Sequence, residues 1–297
     1  MKPPAFAYHA ARSVDDALTA LAGSGPGVKV LAGGQSLIPL MNMRLASPST
    51  LVDISGVAEL SDIEVDDTAV LVGAAVTHRA LERDAGAQRA CPLLAQALAH
   101  VAHPVIRNRG TVVGSVAHAD PAGELPAVLA VLDGSVEVAR HEEGRTSTRM
   151  LAADGFFVGP LEAAISPGDL VTRVSFPVMP STAGSAVEER ARRHGDYALA
   201  GVVAVVDAPQ GRVASARVAT ISVHPTPLVV DCTDLLAGDP ATEVDGRQAA
   251  ARVAGVVEAG SDVHATEAYR RHLVAVLTSR ALPRAAAHAV ERTAALA

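Results

Sequence analysis

The sequence is poor in cysteine, lacks tryptophan and has no hydrophobic run long enough to cross a membrane. Its two cysteines, Cys91 and Cys232, are too few for an iron–sulfur cluster with four thiolate ligands, so any such cluster is expected on another chain. In a reducing compartment we expect two free thiols. The longest apolar stretches, such as residues 198–206, reach about half of the roughly 20 residues that a membrane span needs.

Clustered positive charge is also missing. The formal net charge is −7 and no long basic segment occurs, which disfavours non-specific binding to nucleic acid. The N-terminal segment MKPPAFAYHAARSVDD lacks the apolar core of a secretory signal, so we expect a soluble cytoplasmic protein. A chain of 297 residues, 49% of them hydrophobic, is long enough for two or three structural units.

Two adjacent glycines interrupt an apolar segment in LAGGQSLIPL, residues 31–40. After a strand, Gly33 and Gly34 would expose successive backbone N–H groups, which bind phosphate oxygens, and Ser36 adds a hydroxyl donor. The alternative is an ordinary tight turn, because paired glycines are common in turns. The segment matches neither common phosphate-loop pattern, and without G-x-S-x-G we expect no nucleophilic role for Ser36.

A second glycine turn, GTVVGS, lies within residues 102–134 and contains Gly110, Thr111, Gly114 and Ser115. A polar loop of small residues follows and leads to Glu124 at the start of an apolar helix. Two turns that both suit anions indicate a diphosphate held from two sides. The alternative is a connection from loop to helix with incidental glycines.

Histidines near this turn do not form a convincing metal site. His118 and Asp120 are two possible ligands without a third nearby, and the same holds for His100 and His103. Zinc sites in proteins use at least three protein ligands. We therefore expect no metal on this chain.

Periodicity predicts the secondary structure only coarsely. Ser13 is expected to cap a helix over residues 14–23, and residues 169–177 read as a strand closed by proline. Residues 178–186 are a possible hinge. Beyond them the pattern predicts strands near 196–207 and 212–223, then helices near 226–237, 242–258, 265–280 and 283–295, an order typical of α+β structure.

Several motifs, in the same order and spacing, resemble one protein family. They are LAGGQSLIPLMNMRLASPSTLVDIS, VGAAVTH, IRNRGTVVGS, ADPAGELPAVLAVL, GPLEAAISPGDLVTRVSFP, RRHGDYALAG and ATEAYRRHLVAVLTSRAL. Together they resemble the FAD-binding medium subunit of molybdenum hydroxylases, a group that includes carbon monoxide dehydrogenase medium chains and the flavin domain of xanthine dehydrogenase. The likeness extends along nearly the whole chain.

The resemblance implies an α+β fold in two domains. The first, residues 1–177, would be a two-lobed FAD-binding domain of the vanillyl-alcohol-oxidase or PCMH-like type, with lobes of about 1–57 and 58–177 and FAD in the cleft between them. The second, residues 178–297, would combine a three-stranded antiparallel sheet with a helical bundle.

The resemblance also implies which residues contact FAD. The first loop and the second turn would grip the diphosphate, Glu124 would accept from the ribityl chain, and Ala117 would lie close to the flavin ring. Tyr197 would lie near the isoalloxazine, the alternative being an ordinary strand tyrosine. The implied set is Leu31, Ala32, Gly33, Gly34, Gln35, Ser36, Leu37, Val101, Ile106, Thr111, Val112, Val113, Gly114, Ser115, Ala117, Glu124, Leu170 and Tyr197.

This sequence departs from the family pattern at several positions. The second turn has Val113 in place of a glycine and Ser115 in place of an asparagine, and a β-branched residue resists positive φ. In the segment before RRHGDYA, Val187 and Glu189 replace an aromatic residue and a lysine, so a positive charge is missing there. Gln35 occupies the position at which related flavoproteins tether the flavin through histidine, so we expect non-covalent FAD.

The function that the resemblance implies is electron transfer. A molybdenum cofactor on a large partner subunit would oxidise the substrate, 2Fe-2S clusters on a small partner would carry the electrons, and FAD here would pass them to NAD⁺, oxygen, a quinone or another acceptor. The assembly is expected as a dimer of heterotrimers, with no catalytic residue on this chain. Two alternatives remain: a stand-alone FAD oxidoreductase with its own organic substrate, and a flavin-free scaffold subunit.

Overall fold

The computed structural model describes residues 2–25 and 27–295, in which three main β-sheets organise the chain. Residues 1, 26 and 296–297 fall within the predicted domain ranges but lie outside the described residues. Among the helices described, none is long and apolar enough to cross a membrane.

The first sheet contains three parallel strands in the order β1-β3-β2. Its elements in chain order are β1 Ala7–Ala10, α1 Val14–Gly23, β2 Val28–Leu31, α2 Leu37–Asn42 and β3 Thr50–Asp53. Ser13 caps α1 as predicted, because its side chain accepts from the N–H of Asp16. Strand β2 ends at Leu31 and α2 begins at Leu37, so the glycine loop lies at the carboxyl end of a parallel strand.

The second sheet contains five antiparallel strands in the order β4-β5-β10-β6-β7. Six helices connect β5 to β6, and α7 packs against β5 and β10. The elements are β4 Ile63–Val65, β5 Ala69–Gly73, α3 His78–Arg83, α4 Ala85–Ala90, α5 Pro92–Leu98, α6 Pro104–Arg107, α7 Val112–His118, α8 Glu124–Val131, β6 Ser135–Glu142, β7 Arg145–Ala152, α9 Ala153–Phe156, β8 Phe157–Gly159, β9 Glu162–Ala163 and β10 Asp169–Pro177. Strand β10 matches the predicted strand residue for residue.

The third sheet contains four antiparallel strands in the order β11-β12-β13-β14. Its three long strands agree with the expected three-stranded sheet, and the fourth has only three residues. The elements are β11 Ala183–Ala191, β12 Ala198–Asp207, β13 Ser215–Ile221, β14 Val229–Asp231, α10 Thr233–Leu236, α11 Arg247–Val256 and α12 Glu267–Ala294.

Two helix predictions in this part of the chain were wrong. Residues 226–237 do not form one helix, because β14 pairs with β13 there and only a single turn, α10, follows. The two helices expected near 265–280 and 283–295 are one helix, α12, which continues through Pro283. Its buried face, including Leu282, Ala285 and Ala289, packs on β11 and β12 and holds the helix together beyond the proline.

The third sheet is covered on both faces. Helix α12 packs on one face, whereas α5 and α8 pack against strands of the same sheet and bring it into the core of the first two sheets. Residues Leu125 to Val131 of α8 are all buried. Glu124, the first residue of α8, therefore lies where the second and third sheets meet.

Candidate functional site

The two predicted glycine turns touch each other through their backbones. A β-carbon built on Gly33 would lie 2.2 Å from the carbonyl oxygen of Arg109 and 2.7 Å from the Cα of Gly110. Only glycine allows this approach. Gly34 adopts φ of +71°, and the side-chain amide of Gln35 donates to the carbonyl of Gly33 over 3.1 Å.

The first loop, residues 31–37, presents a row of unused donors. The N–H groups of five consecutive residues, Gly33 to Leu37, find no acceptor among the residues that the structure describes, and all five residues are partly accessible to solvent. Leu31 and Ala32 precede this row and are also partly exposed. Successive N–H groups at a bend of this kind form a nest that binds anions.

The second turn is the start of helix α7. Thr111 caps it, and its Oγ1 accepts from the N–H of Gly114 over 3.1 Å. Val113 lies inside the helix and does not adopt positive φ, so the β-branched residue is accommodated without strain. The side chains of Val112 and Val113 are buried, which leaves only their backbones to face a ligand. The N–H of Val113 has no acceptor in the described part of the chain.

A buried histidine that the sequence did not reveal supports this turn. The N–H of His78 donates to the carbonyl of Gly110 over 2.8 Å, and its Nε2 lies 2.9 Å from the hydroxyl oxygen of Ser115. Burial lowers the pKa of His78 to about 4, so the ring is neutral at physiological pH. The only sequence signal was Thr77 at the start of α3, whose side chain caps the helix that His78 begins.

A polar turn connects α7 to α8 at the junction with the third sheet. Ala119 adopts φ of +52° and Asp120 accepts from the N–H of Ala122 over 2.9 Å. The carbonyl of Pro121 accepts from the N–H of Ser222, which fixes the turn to the end of β13 over 2.8 Å. The partly exposed face of α7 carries Gly114, Ser115 and Ala117.

Glu124 is an acidic group in a poorly solvated position. Burial of its carboxyl group, with added repulsion from Asp120, raises its pKa to about 7. A second carboxyl group, that of Glu189 on β11, lies close enough to be repelled by Glu124. Local sequence patterns could not reveal this pair, because the residues belong to different domains.

Tyr197 lies in a loop that packs beside the segment containing Val101 and Ile106. The rings of His103 and His194 meet edge to face at 5.8 Å, and Gly195 lies directly against His103. Tyr197 itself is 70% exposed, so its ring is free to stack on a planar ligand. Desolvation, and then the negative charges of Asp120 and Glu124, raise its pKa.

Three apolar residues of the implied set lie at different depths. Ile106 is partly exposed and Val101 is 9% exposed. Leu170 lies within β10, with its side chain 1% exposed in the core. Its side chain is therefore not brought to an accessible surface, in contrast to the loop residues.

Comparison with known proteins assigns both halves of the chain. The family described as the FAD-binding domain in molybdopterin dehydrogenase matches residues 4–179. The CO dehydrogenase flavoprotein C-terminal domain matches residues 185–285.

Individual relatives match over nearly their full lengths. The nicotine 6-hydroxylase medium subunit of Paenarthrobacter nicotinovorans is 38% identical over 97% of this chain and 99% of its own. The carbon monoxide dehydrogenase medium chain of Afipia carboxidovorans is 33% identical over 97% and 99%. The crystal structure of quinoline 2-oxidoreductase from Pseudomonas putida 86 superimposes with a TM-score of 0.90 at 34% identity, covering 97% of this chain and 99% of that chain.

Proposed function

Because the chain belongs to the family of FAD-binding medium subunits of molybdenum hydroxylases, we propose that it holds one FAD and carries electrons between subunits of such a complex. The observation that carries this proposal is the row of N–H groups from Gly33 to Leu37, which have no acceptor among the described residues and lie at the point where the first loop meets Gly110. Such a row of N–H donors binds anionic acceptor oxygens, and a diphosphate provides them. Bound FAD supplies the redox chemistry, and the chain supplies binding and electrostatics.

The residues of the implied set that lie at accessible positions have defined tasks in this proposal. The first loop and the N–H of Val113 would bind the diphosphate, with the hydroxyl of Ser115 as a further donor oriented by His78. Glu124 would accept from the ribityl hydroxyls, since a carboxylate offers two acceptor oxygens. The exposed ring of Tyr197 would cover the isoalloxazine.

Attachment of the flavin is proposed to be non-covalent. Gln35 stands in the first loop with its amide nitrogen engaged by the carbonyl of Gly33. An amide nitrogen is not a nucleophile, because its lone pair is delocalised into the carbonyl group. Acid precipitation should therefore release all of the FAD into the supernatant.

Electrons are proposed to arrive from clusters on another subunit. Cys91 and Cys232 are buried free thiols, and burial raises their pKa values to about 12 and about 11, which disfavours the thiolate form that ligates iron. A large subunit would carry the molybdenum cofactor and a small one the 2Fe-2S clusters, in a cytoplasmic dimer of heterotrimers.

We also assign residues 1–177 to the FAD-binding domain, with lobes of about 1–57 and 58–177, and residues 178–297 to the C-terminal domain.

Purification from the native host tests the function. We expect a yellow complex with one FAD per copy of this chain, together with molybdenum and iron on two further subunits. A lone yellow monomer that oxidises an organic compound would instead support the stand-alone oxidoreductase. A chain that gives no flavin absorption after incubation with FAD would support the scaffold role.

A further inference from the structure

The side chain of Glu189 lies across the bare backbone of a glycine in the third sheet. Glu189 on β11 pairs with Gly201 on β12, which in turn pairs with Ile221 on β13. A β-carbon built on Gly201 would lie 3.4 Å from Cγ of Glu189 and 3.2 Å from Cβ of Ile221. The carboxyl group therefore extends over the sheet on the face that α8 covers, and its Oε2 is buried without a hydrogen-bond partner among the described residues.

The charged groups that act on this carboxyl group are acidic. Glu189 is repelled by Glu124, and Glu124 is repelled by Asp120. Burial, followed by the negative charges of Asp120 and Glu124, raises the pKa of the Tyr197 hydroxyl. Within the described residues, no arginine, lysine or histidine contributes to the shifts of Glu124 or Glu189.

The neighbouring acid on the same strand belongs to the other face of the sheet. Successive side chains of a strand point to opposite faces. Glu188 accordingly pairs with Arg284 of α12, on the face away from α8. The positive charge of Arg284 is thus engaged by Glu188, on the face opposite to Glu189.

We propose that Glu189 keeps its proton at neutral pH while Glu124 ionises, so that the two carboxyl groups together carry one negative charge, not two, where Glu124 lines the flavin cleft. Two carboxyl groups that are both poorly solvated and repel each other cannot both ionise at moderate cost. Glu189 is a positioning residue that acts through Glu124: while it keeps its proton, it adds no second negative charge beside the Glu124 carboxyl group.

The titration of the two groups agrees with this geometry. Burial, followed by the charge of Glu124, raises the pKa of Glu189 to about 8. The pKa of Glu124 is raised to about 7, first by burial. The two titrate as a pair in which Glu189 keeps the proton to the higher pH.

The affinity for FAD should depend on this proton. This expectation rests on the proposed function, which places FAD against Glu124. A ligand that covers Glu124 removes water from the pair and makes a second negative charge more costly. FAD binding therefore raises the pKa of the pair, and by linkage the Kd for FAD rises by up to about tenfold per pH unit above about pH 8.

The proton itself is tested on the FAD-free protein by infrared spectroscopy. The wild-type chain should show a protonated-carboxyl band that disappears as the pH rises through about 8. Glu189→Gln should lack it and Glu188→Gln, the control on the opposite face, should keep it. A wild-type spectrum without a band that titrates near this pH would overturn the proposal.

The coupling is tested by calorimetric titration with FAD. Between about pH 8 and about pH 9 we expect the Kd to rise by up to about fivefold for the wild type and for Glu188→Gln, with proton uptake detected in buffers of different ionisation enthalpy. Glu189→Gln should bind FAD with equal affinity at both pH values. An unchanged wild-type Kd overturns the coupling. A band that titrates as expected in a chain that never binds FAD upholds the protonated Glu189 and refutes the proposed function.

Discussion

The backbone of Gly33 rests directly against the carbonyl group of Arg109, so that a β-carbon at residue 33 would stand 2.2 Å from the oxygen. This contact joins the loop after β2 to the turn before α7, and thereby joins the first sheet to the helices of the second. Main chain alone therefore fixes the first loop against the turn that precedes α7. A diphosphate bound by these two segments would meet groups that are already held in place, so its binding would require little ordering.

Gly33→Ala should abolish this arrangement. Because the nearest atoms belong to the backbone of Arg109 and Gly110, the new methyl group can be accommodated only if the two loops separate. We expect at least a tenfold loss of FAD affinity, about 1.4 kcal/mol or more, measured by quenching of flavin fluorescence. Gly56→Ala is the matched control, since a β-carbon there meets nothing within 4 Å. Equal affinities of the two variants would show that the loops do not hold FAD.

The ring of Tyr197 should contribute stacking, not hydrogen bonding. Its 70% exposure leaves an open aromatic face, and stacking of a planar base on such a ring is worth about 1–3 kcal/mol. Tyr197→Ala is expected to weaken FAD binding by about tenfold or more, whereas Tyr197→Phe should bind as the wild type does. Tyr269→Ala, at another exposed tyrosine on α12, controls for loss of an aromatic side chain. If Tyr197→Phe binds FAD as weakly as Tyr197→Ala does, the hydroxyl group accounts for the loss of affinity and the stacking hypothesis is wrong.

Local patterns predicted the parts of the fold that depend on neighbours in sequence. Strand β10 and the cap at Ser13 follow from short-range rules and are confirmed. The continuity of α12 through Pro283 could not be predicted in this way, because packing on the third sheet opposes the local tendency of proline to end a helix.

The candidate site likewise contains residues that local patterns predict and residues that only the tertiary structure brings together. Gly33 and Gly34 were identified from the sequence because bare backbone at a strand end is a local signal. The environment of Glu189 depends on the register of three strands, and the role of His78 depends on a turn far along the chain. Such pairings are decided by tertiary structure, so no local pattern contains them.

His78→Gln should make the protein more resistant to acid. The folded pKa of His78 is lowered from 6.5 to about 4, so its contribution to stability is present above pH 6.5 and is lost as the pH falls towards 4. The shift corresponds to about 3 kcal/mol. Glutamine can still donate to Ser115 but cannot take up a proton. Urea unfolding at about pH 7 and about pH 4.5 should show a smaller acid loss in the variant.

The exposed His272, on α12, provides the matched control for this measurement. His272→Gln should lose as much stability in acid as the wild type, because it leaves the buried ring of His78 in place. If His78→Gln loses as much stability in acid as the wild type and His272→Gln do, His78 does not remain neutral in the folded protein.

Glu189→Gln should change the stability of the FAD-free protein in the opposite pH range. The folded pKa of Glu189 is raised from 4.5 to about 8, so its stabilising contribution is complete below pH 4.5 and is lost as the pH rises through about 8. Glutamine carries no charge at any pH and escapes this loss. After discounting for solvent at the partly buried carboxyl group, the variant should gain about 2 kcal/mol relative to wild type between these limits. Urea unfolding at about pH 5 and about pH 8 measures the gain, and Glu188→Gln should show none. A gain that is the same at both pH values would mean that Glu189 is already ionised at pH 5, in which case the two carboxyl groups would carry two negative charges above about pH 7.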